Sequence, residues 1–375
     1  ASSENIFEKL TDMNACLAHR GPDDEKVWTE NGIGLAHRRL AILDLSSSGA
    51  QPMHSSCGRY VLAYNGEIYN HNQLRRDLEK EGVAPSWRGQ SDTETLLGGF
   101  DAWGVKETIN RTIGMFAFAV FDRKKRQLII GRDRLGEKPL YYGWQGQGTE
   151  AIFIFGSELV SLRQHPAFNQ SLDRGAIALL MRHNYIPAPH SIFQNVYKVQ
   201  PGHLCTVSLE SKTVKQYNYW NFADIANKTA LNKFEGSAEE AVDNLEEILM
   251  SSIRQQMVSD VPLGAFLSGG IDSSTIVALM QAQSDSPVKT FSIGFNEDQY
   301  NEADYAKEVA RHLRTDHTEL FVTAKQSQDV ISNLASLYNE PFADSSQIPT
   351  FLVSQLAKQN VTVSLSGDGG DELFC

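Results

Sequence analysis

Residues 267–274 read Leu267-Ser268-Gly269-Gly270-Ile271-Asp272-Ser273-Ser274, a pattern able to hold phosphate. The segment Val261–Leu267 before it is apolar enough for a buried strand, and Ser273–Gln281 after it has helical character. A glycine turn between strand and helix lets backbone N–H groups face a ligand, and the helix N-terminus adds partial positive charge. Ser268, Ser273 and Ser274 offer hydroxyl donors, and Asp272 offers a carboxylate for magnesium. No lysine follows the glycines, which separates this loop from Walker A. Hydroxyls with an aspartate suit pyrophosphate held as a leaving group. An ordinary serine-capped Gly-Gly turn competes, and the strand–turn–helix context disfavours it. A second run, Ser366-Gly367-Asp368-Gly369-Gly370-Asp371-Glu372-Leu373-Phe374, follows an expected strand at Val361–Leu365. Its acids beside glycines suit metal and adenylate chemistry; taken alone it reads as a solvated turn.

The first half carries a different set. His19-Arg20-Gly21-Pro22-Asp23-Asp24 follows a helical stretch, His37–Asp44 places Arg38 and Arg39 near a strand, and Asn65-Gly66-Glu67 ends the next strand. Arginine grips a carboxylate bidentately. An asparagine amide and a neighbouring glycine N–H can form an oxyanion hole. Glu67, with Asp92 in Gln90-Ser91-Asp92-Thr93, can accept from an α-ammonium group. One cation and two anions would match the zwitterionic end of an amino acid. Singly, each piece has a plainer reading: Asn65-Gly66 is a turn signal, Asp92 a cap for a helix at Thr93, and His19 and His37 structural groups.

The elements that would position these residues follow from periodicity. Glu4–Arg20 reads as an amphipathic helix with Ile6, Leu10, Met13 and Leu17 on one side. Gly34–Leu45 and Arg59–Ala63 read as strands, Asn72–Glu81 and Thr93–Trp103 as helices. Met115–Asp122, Gln127–Arg132, Leu140–Gly143 and Ala151–Phe155 read as strands separated by turns. Asp173–Arg182 is a short helix with an aspartate cap. Residues 1–208 form a strand-rich α+β unit and 209–236 a strand-and-linker region. From 237 to 375 helix, strand and helix alternate, which implies a parallel sheet. Ser237 and Glu240 stand at capping-box spacing before Ala238–Met257. Ala265–Leu267, Lys289–Gly294 and Val361–Leu365 are the strands, with helices at Asn301–Leu313, Gln326–Leu337 and Gln347–Gln359.

Length bounds the chain at two or three domains: 375 residues, with 46 acidic against 34 basic side chains and a net charge of −12. That balance disfavours nucleic acid, which asks for a basic footprint. Apolar runs such as Gly114–Phe121 are strand length, too short to span a bilayer, and no secretory signal is read at the N-terminus. Cys16, Cys57, Cys205 and Cys375 are scattered without metal-ligand spacing or a disulfide framework. A reduced, cytoplasmic location is the expectation.

The loop SGGIDSS resembles that of the N-type ATP pyrophosphatases, and Ser366–Phe374 resembles the SG(E/D)G(G/S)DELF segment of the asparagine-synthetase family. The first-half clusters, in their order, resemble the class II glutamine amidotransferase domain of the same family, as do Arg132–Tyr142 and Ser157-Glu158-Leu159. The resemblance implies an α+β N-terminal-nucleophile domain, two antiparallel sheets between helices, followed by an α/β parallel-sheet ATP pyrophosphatase domain. It assigns Arg39, Ile42 and Leu43 to glutamine, Arg39 taking the carboxylate. Asn65 and Gly66 become the oxyanion hole, and Glu67 and Asp92 the partners of the amino group. It assigns Leu267, Ser268, Gly269, Gly270, Asp272, Ser273, Ser274, Ser366 and Gly367 to ATP, and Ile293 to adenine through its backbone. Asp272 and Asp371 would hold Mg2+, and Asp368 takes a catalytic position. Arg132–Tyr142 and Ser157–Leu159 are expected near an inter-domain face and ammonia passage rather than in catalysis.

The implied reaction is ATP-dependent amide formation on a carboxylate, aspartate giving asparagine, through an acyl-adenylate and ammonia from glutamine. Small molecules are the expected partners, with no nucleic acid or membrane and a homodimer as candidate assembly. Three departures from the family stand out. The nucleophile is an amino-terminal Cys, whereas this sequence opens Ala1-Ser2-Ser3-Glu4, so the first strand is expected to be missing and glutamine hydrolysis absent. The sequence ends at Phe374-Cys375, before a helical region carrying a lysine expected to aid adenylation. Asp368 stands where well-studied members have Glu, and Asn339–Ser346 lacks their Arg. A sugar carboxylate in polysaccharide synthesis is therefore an alternative acceptor. A catalytically silent glutamine- and ATP-binding protein is the competitor from another class.

Overall fold

In the computed structural model, residues 3–208, 210–295 and 303–374 are described. The chain divides into two compact units, 1–232 with 339–342, and 233–338 with 343–375.

The first unit contains β1 (Asp24–Glu30), β2 (Ile33–Arg39), β3 (Met53–His54), β4 (Tyr60–Ile68), β5 (Gly114–Asp122), β6 (Gln127–Arg132), β7 (Tyr141–Gln145), β8 (Ile152–Gly156), β9 (Tyr197–Lys198), β10 (His203–Ser208) and β11 (Thr213–Asn218). A six-stranded antiparallel sheet runs β11-β10-β6-β5-β4-β3. Successive side chains of a strand face opposite ways, and here both faces are apolar. Leu62, Tyr64, Ile68, Phe116, Phe118 and Val120 pack beneath Leu74, Leu96, Leu97 and Phe100 of the helices His71–Lys80 and Asp92–Ala102. Val61, Ala117, Ala119 and Ile130 face the other way, onto Leu35, Leu140 and Tyr142. That second layer consists of the pair β1-β2 and the sheet β8-β7-β9. Outside it, Met13, Leu159, Leu162 and Ala176 from three helices close a third cluster. The architecture is thus two antiparallel layers between helical layers, the N-terminal-nucleophile type of fold.

The second unit is a parallel sheet. Its strands β12 (Leu263–Phe266), β13 (Lys289–Phe295), β14 (Asp316–Val322) and β15 (Val363–Leu365) lie in the order β14-β13-β12-β15. Ala265, Leu267, Val277 and Met280 form its core on one side, with Ala306 and Ala310; Phe291, Leu356 and Val361 pack on the other. Among the described residues, no helix is long and apolar enough to cross a membrane.

Local signals held where chemistry fixed them. Ser237 accepts from Glu240 N at 3.1 Å, and Glu240 accepts from Ser237 N at 2.7 Å. Asp173 caps its helix through Gly175 N and Ala176 N. Other expectations need correction. The strand read as Gly34–Leu45 ends at Arg39, because Asp44 adopts positive φ and gathers Ser46 and Gln90 around its carboxylate. The strand-and-linker stretch 209–236 supplies a strand, β11, and beyond it a helix, Phe222–Leu231, none of whose residues is buried. Strands β1 and β14, DEKVWTE and DHTELFV, were not anticipated: both are rich in charge, and β14 is a sheet edge. The helix read as Gln326–Leu337 breaks into Ala324–Ile331 and Leu334–Leu337. The helix expected at Asn301–Leu313 is seen as Ala303–Leu313, its first two residues lying outside the described ones. Cys375 is outside them as well.

Candidate functional site

The first unit encloses a cavity of about 310 Å³ lined by Arg39, Ile42, Leu43, Asn65, Gly66, Glu67 and Asp92, so every glutamine-site candidate converges there. Arg39 ends β2, buried at 8% exposure. Its guanidinium donates to Ser46 O at 2.8 Å and to Asp44 O. Gly49 packs directly on that guanidinium, where a side chain would push the Arg39 head group aside. Ile42 and Leu43 lie in the same irregular loop.

Strand alternation explains the rest. Asn65 and Glu67 share the face of Val61 and Ala63. The backbone N–H groups of Tyr64 and Ile68 leave the β4–β5 ladder, donating to Gln51 Oε1 at 2.7 Å and Asp92 Oδ2 at 2.9 Å. Opposite Gly66, Phe116 turns its own N–H and C=O to Asp133. Gly66 N–H lies between those of Tyr64 and Ile68 and points the same way, away from β5. The Asn65 Nδ2 group is buried without a partner among the described residues. The Asn65 amide is therefore a donor left for a ligand, with the Gly66 N–H beside it, and a folded protein tolerates a buried unpaired donor only where something else satisfies it. Gly66 must be glycine, since a methyl there would sit 2.1 Å from Met115 O.

The acidic pair is costly. Asp92 follows the cap Ser91, and it accepts from Tyr64 Oη at 2.9 Å as well as from Ile68 and Thr93 N–H. Burial raises its carboxyl pKa despite those bonds. Burial, then the charge of Asp92, pushes Glu67 up to about 7, while Lys138 pulls it down. Glu67 Oε1 has no hydrogen-bond partner among the described residues. His37 is held neutral, its pKa lowered by burial to about 4, and Nε2 donates to Tyr64 O at 2.9 Å. His19 and Arg20 instead bind Glu158, at 3.1 and 2.8 Å. Among the described residues, no cysteine lines the cavity.

In the second unit the chain runs from β12 outward to β13 and β14, then returns to add β15 on the other side of β12. The gap between β12 and β15 is the topological switch point, where open parallel sheets place ligands beyond the strand ends. Both loops singled out by their chemistry sit there. Leu267 is buried at the end of β12, and its N–H bonds Phe291 O at 2.9 Å. Gly269 has φ +83°, and a methyl there would strike Tyr305 and Ala306. Ser268 Oγ accepts from Gly270 N at 3.2 Å and meets Ser273 Oγ at 2.9 Å. Gly270 precedes the helix Ile271–Ala282 without a side-chain cap, and Ser274 Oγ is buried without a partner among the described residues. The second loop packs onto this turn. A methyl on Gly370 would lie 2.5 Å from the Asp272 carboxylate, and one on Gly367 would lie 2.7 Å from Ser273 N. Asp371 is thus next in chain to a residue touching Asp272. Ser366 Oγ donates to Asp368 Oδ2 at 3.1 Å, turning Asp368 back on its own loop. Ile293 is two residues past Phe291 on β13, its side chain packed with Val322 and Val330 and its backbone paired opposite Leu320 of β14.

Comparison with known proteins fits this geometry. Residues 1–220 match the glutamine amidotransferase domain family, and residues 244–375 match the asparagine synthase family. A Methanocaldococcus jannaschii protein, provisionally named asparagine synthetase [glutamine-hydrolyzing] 2, is 37% identical over 99% of this chain and 73% of its own length. The chain belongs to the glutamine-hydrolyzing asparagine synthetase family. Asparagine synthetase [glutamine-hydrolyzing] 1 of Bacillus subtilis is 34% identical over 100% of the chain and 56% of that protein. Asparagine synthetase B of Escherichia coli is 30% identical over 98% and 61%. The chain therefore spans little more than half the length of these two bacterial relatives. Among solved structures, the B. subtilis glutamine phosphoribosylpyrophosphate amidotransferase superposes with a TM-score of 0.43 at 14% identity, over 89% of this chain and 91% of that one, too loose a likeness to carry an argument.

Two residues of this asparagine-synthetase-family chain escaped sequence reasoning. Gln51 orients β4 through Tyr64 N–H. Lys138 lines the cavity of Arg39 and Asn65, although its segment was expected near an inter-domain face and ammonia passage rather than in catalysis. Lys138 had a signal in retrospect: Arg132-Asp133 and Gly136 are the residues of a tight turn folded around a carboxylate.

Proposed function

We propose that the first unit binds glutamine and that the second binds Mg-ATP, in a carbon–nitrogen ligase that amidates a carboxylate. One observation carries the reading: the Asn65 Nδ2 donor, buried without a partner among the described residues, shares a cavity with Gly66, Arg39 and the Glu67–Asp92 pair. Arg39 takes the α-carboxylate and Glu67 with Asp92 the α-ammonium group. This orientation brings the side-chain amide to the donors, where a developing oxyanion would be stabilised. Ile42 and Leu43 cover the aliphatic stem.

In the second unit the N–H groups of Gly269, Gly270 and the helix start, with the Ser268, Ser273 and Ser274 hydroxyls, receive the pyrophosphate end of ATP. The residues fit magnesium. Asp272 and Asp371 are hard oxygen donors, and Gly370 leaves open the room a side chain would fill at the Asp272 carboxylate. Among the described residues no cluster of three or more ligating side chains forms, which suits a metal shared between two carboxylates and substrate phosphates. Bound there, magnesium would neutralise charge on the departing pyrophosphate. Asp272 and Asp371 orient that end of the nucleotide. The acceptor, aspartate by family, would attack the α-phosphorus and form an acyl-adenylate that ammonia then opens. A cytoplasmic location and a homodimer accord with this reading.

Calorimetric titration with L-glutamine tests it. The wild type binds; Arg39→Ala and the near-isosteric Glu67→Gln do not, while both keep cooperative melting. Equal binding by all three refutes the assignment. Pyrophosphate release from ATP with aspartate or a uronic acid then names the acceptor.

A further inference from the structure

Lys138 lines the cavity of Arg39, Glu67 and Asp92, yet recognition as described gives it no part. Its position is enforced from both sides. Asp133, fully buried, accepts from Phe116 N at 3.1 Å, Gly136 N at 2.6 Å, Glu137 N at 2.9 Å and Lys138 N at 3.0 Å. Arg132 Nε donates to Lys138 O at 2.8 Å. The backbone is thus clamped, and the side chain is delivered inward, where burial lowers its pKa and Glu67 raises it again. Burying an ammonium group without a counter-charge is costly. Among the described residues, Lys138 makes no ion pair within 4.0 Å of its own.

Its electrostatic partner across the cavity is Glu67, with Glu137 and Asp133 of its own turn also favouring its charge and Arg20 opposing it. Two carboxylates sharing a buried site cannot both ionise without compensation. The other cations of the cavity are engaged elsewhere. Arg39 donates to the Ser46 and Asp44 carbonyls, Arg38 pairs with Glu25, and Arg20 pairs with Glu158. His37 is neutral. The remaining groups facing Glu67 and Asp92 are Tyr64 and Tyr69, both held protonated by burial, and His71 beside Asp92. Lys138 is the cation left to balance Glu67.

We propose that Lys138 is a positioning residue for glutamine: its ammonium group offsets the Glu67–Asp92 pair and keeps Glu67 a carboxylate ready to receive the substrate's α-ammonium group. The proposal rests on the reading of this cavity as a glutamine site.

The test is calorimetric titration with L-glutamine from pH 6 to pH 9, on wild type, Lys138→Met and Lys138→Arg, each first checked for cooperative melting. Lys138→Met should bind roughly fivefold more weakly near pH 7, where a one-unit rise in the Glu67 pKa from about 7 cuts its ionised fraction from about a half to about a tenth. That deficit should close toward pH 9, where Glu67 ionises unaided. Lys138→Arg should keep wild-type affinity within about threefold, since it retains the charge. Should Lys138→Met not fold, Lys138→Gln is read the same way. A deficit equal at every pH, no deficit at all, or an arginine variant as weak as the methionine one overturns the role of Lys138 while leaving the glutamine site standing. Failure of the wild type to bind glutamine overturns both.

Discussion

Glu67→Gln should stabilise the protein while destroying the proposed glutamine site. The folded chain raises the Glu67 carboxyl from its ordinary 4.5 to about 7, chiefly through burial and then through Asp92. Because the folded state holds the proton more tightly, stability from this group is complete below pH 4.5 and is lost as pH rises to 7. At 1.4 kcal/mol per tenfold, holding Glu67 ionised costs about 3 kcal/mol above pH 7 and about 1 kcal/mol at pH 5. Glutamine at position 67 has nearly the same shape and never ionises. The pull of Lys138 is already contained in that figure, so the gain at pH 8 is about 3 kcal/mol. In a unit of this size that raises the melting midpoint by roughly 4–12 °C. The five tryptophans, Trp28, Trp87, Trp103, Trp144 and Trp220, all lie in the first unit, so their fluorescence follows its melting alone. The variant should melt well above wild type at pH 8 and much closer to it at pH 5. Equal midpoints at pH 8, or the same difference at both pH values, would show that the carboxylate is not strained by its surroundings.

Gly66→Ala should disrupt the β4–β5 pairing, with its methyl 2.1 Å from Met115 O, at a cost of about 1–3 kcal/mol or more; a melting midpoint unchanged from wild type contradicts the close approach. Asp272→Ala should weaken ATP binding measured with magnesium by at least ~tenfold, or 1.4 kcal/mol, and leave metal-free binding unchanged; equal losses in both titrations would place the metal elsewhere. Gly370→Ala should reproduce the loss, because its methyl occupies the space at the Asp272 carboxylate; ATP binding at wild-type strength would argue that the two loops do not form one site.

The chemistry was legible in the sequence where a residue type is demanded by backbone geometry or by charge. The turns after β12 and β15, the donors Asn65 and Gly66, and the Arg39–Glu67–Asp92 set all declared themselves, and the structure gathers each set in one place. The caps at Ser237 and Asp173 were legible because a hydroxyl or carboxylate bonds its own chain a few residues on. What escaped depends on partners distant in sequence. Strand β14 reads DHTELFV and forms because β13 offers it a ladder, with His317 held by Thr290 and Ser292. Lys138 reaches the cavity only because Asp133 bends the chain around itself through four N–H groups.

A crystal structure of the chain soaked with L-glutamine tests the central claim most directly. The account predicts density in the cavity of the first unit, with the α-carboxylate on Arg39, the α-ammonium group between Glu67 and Asp92, and the side-chain amide oxygen within 2.7–3.2 Å of both Asn65 Nδ2 and Gly66 N. Glutamine bound in the reverse orientation, or bound elsewhere with this cavity filled by solvent, would contradict it.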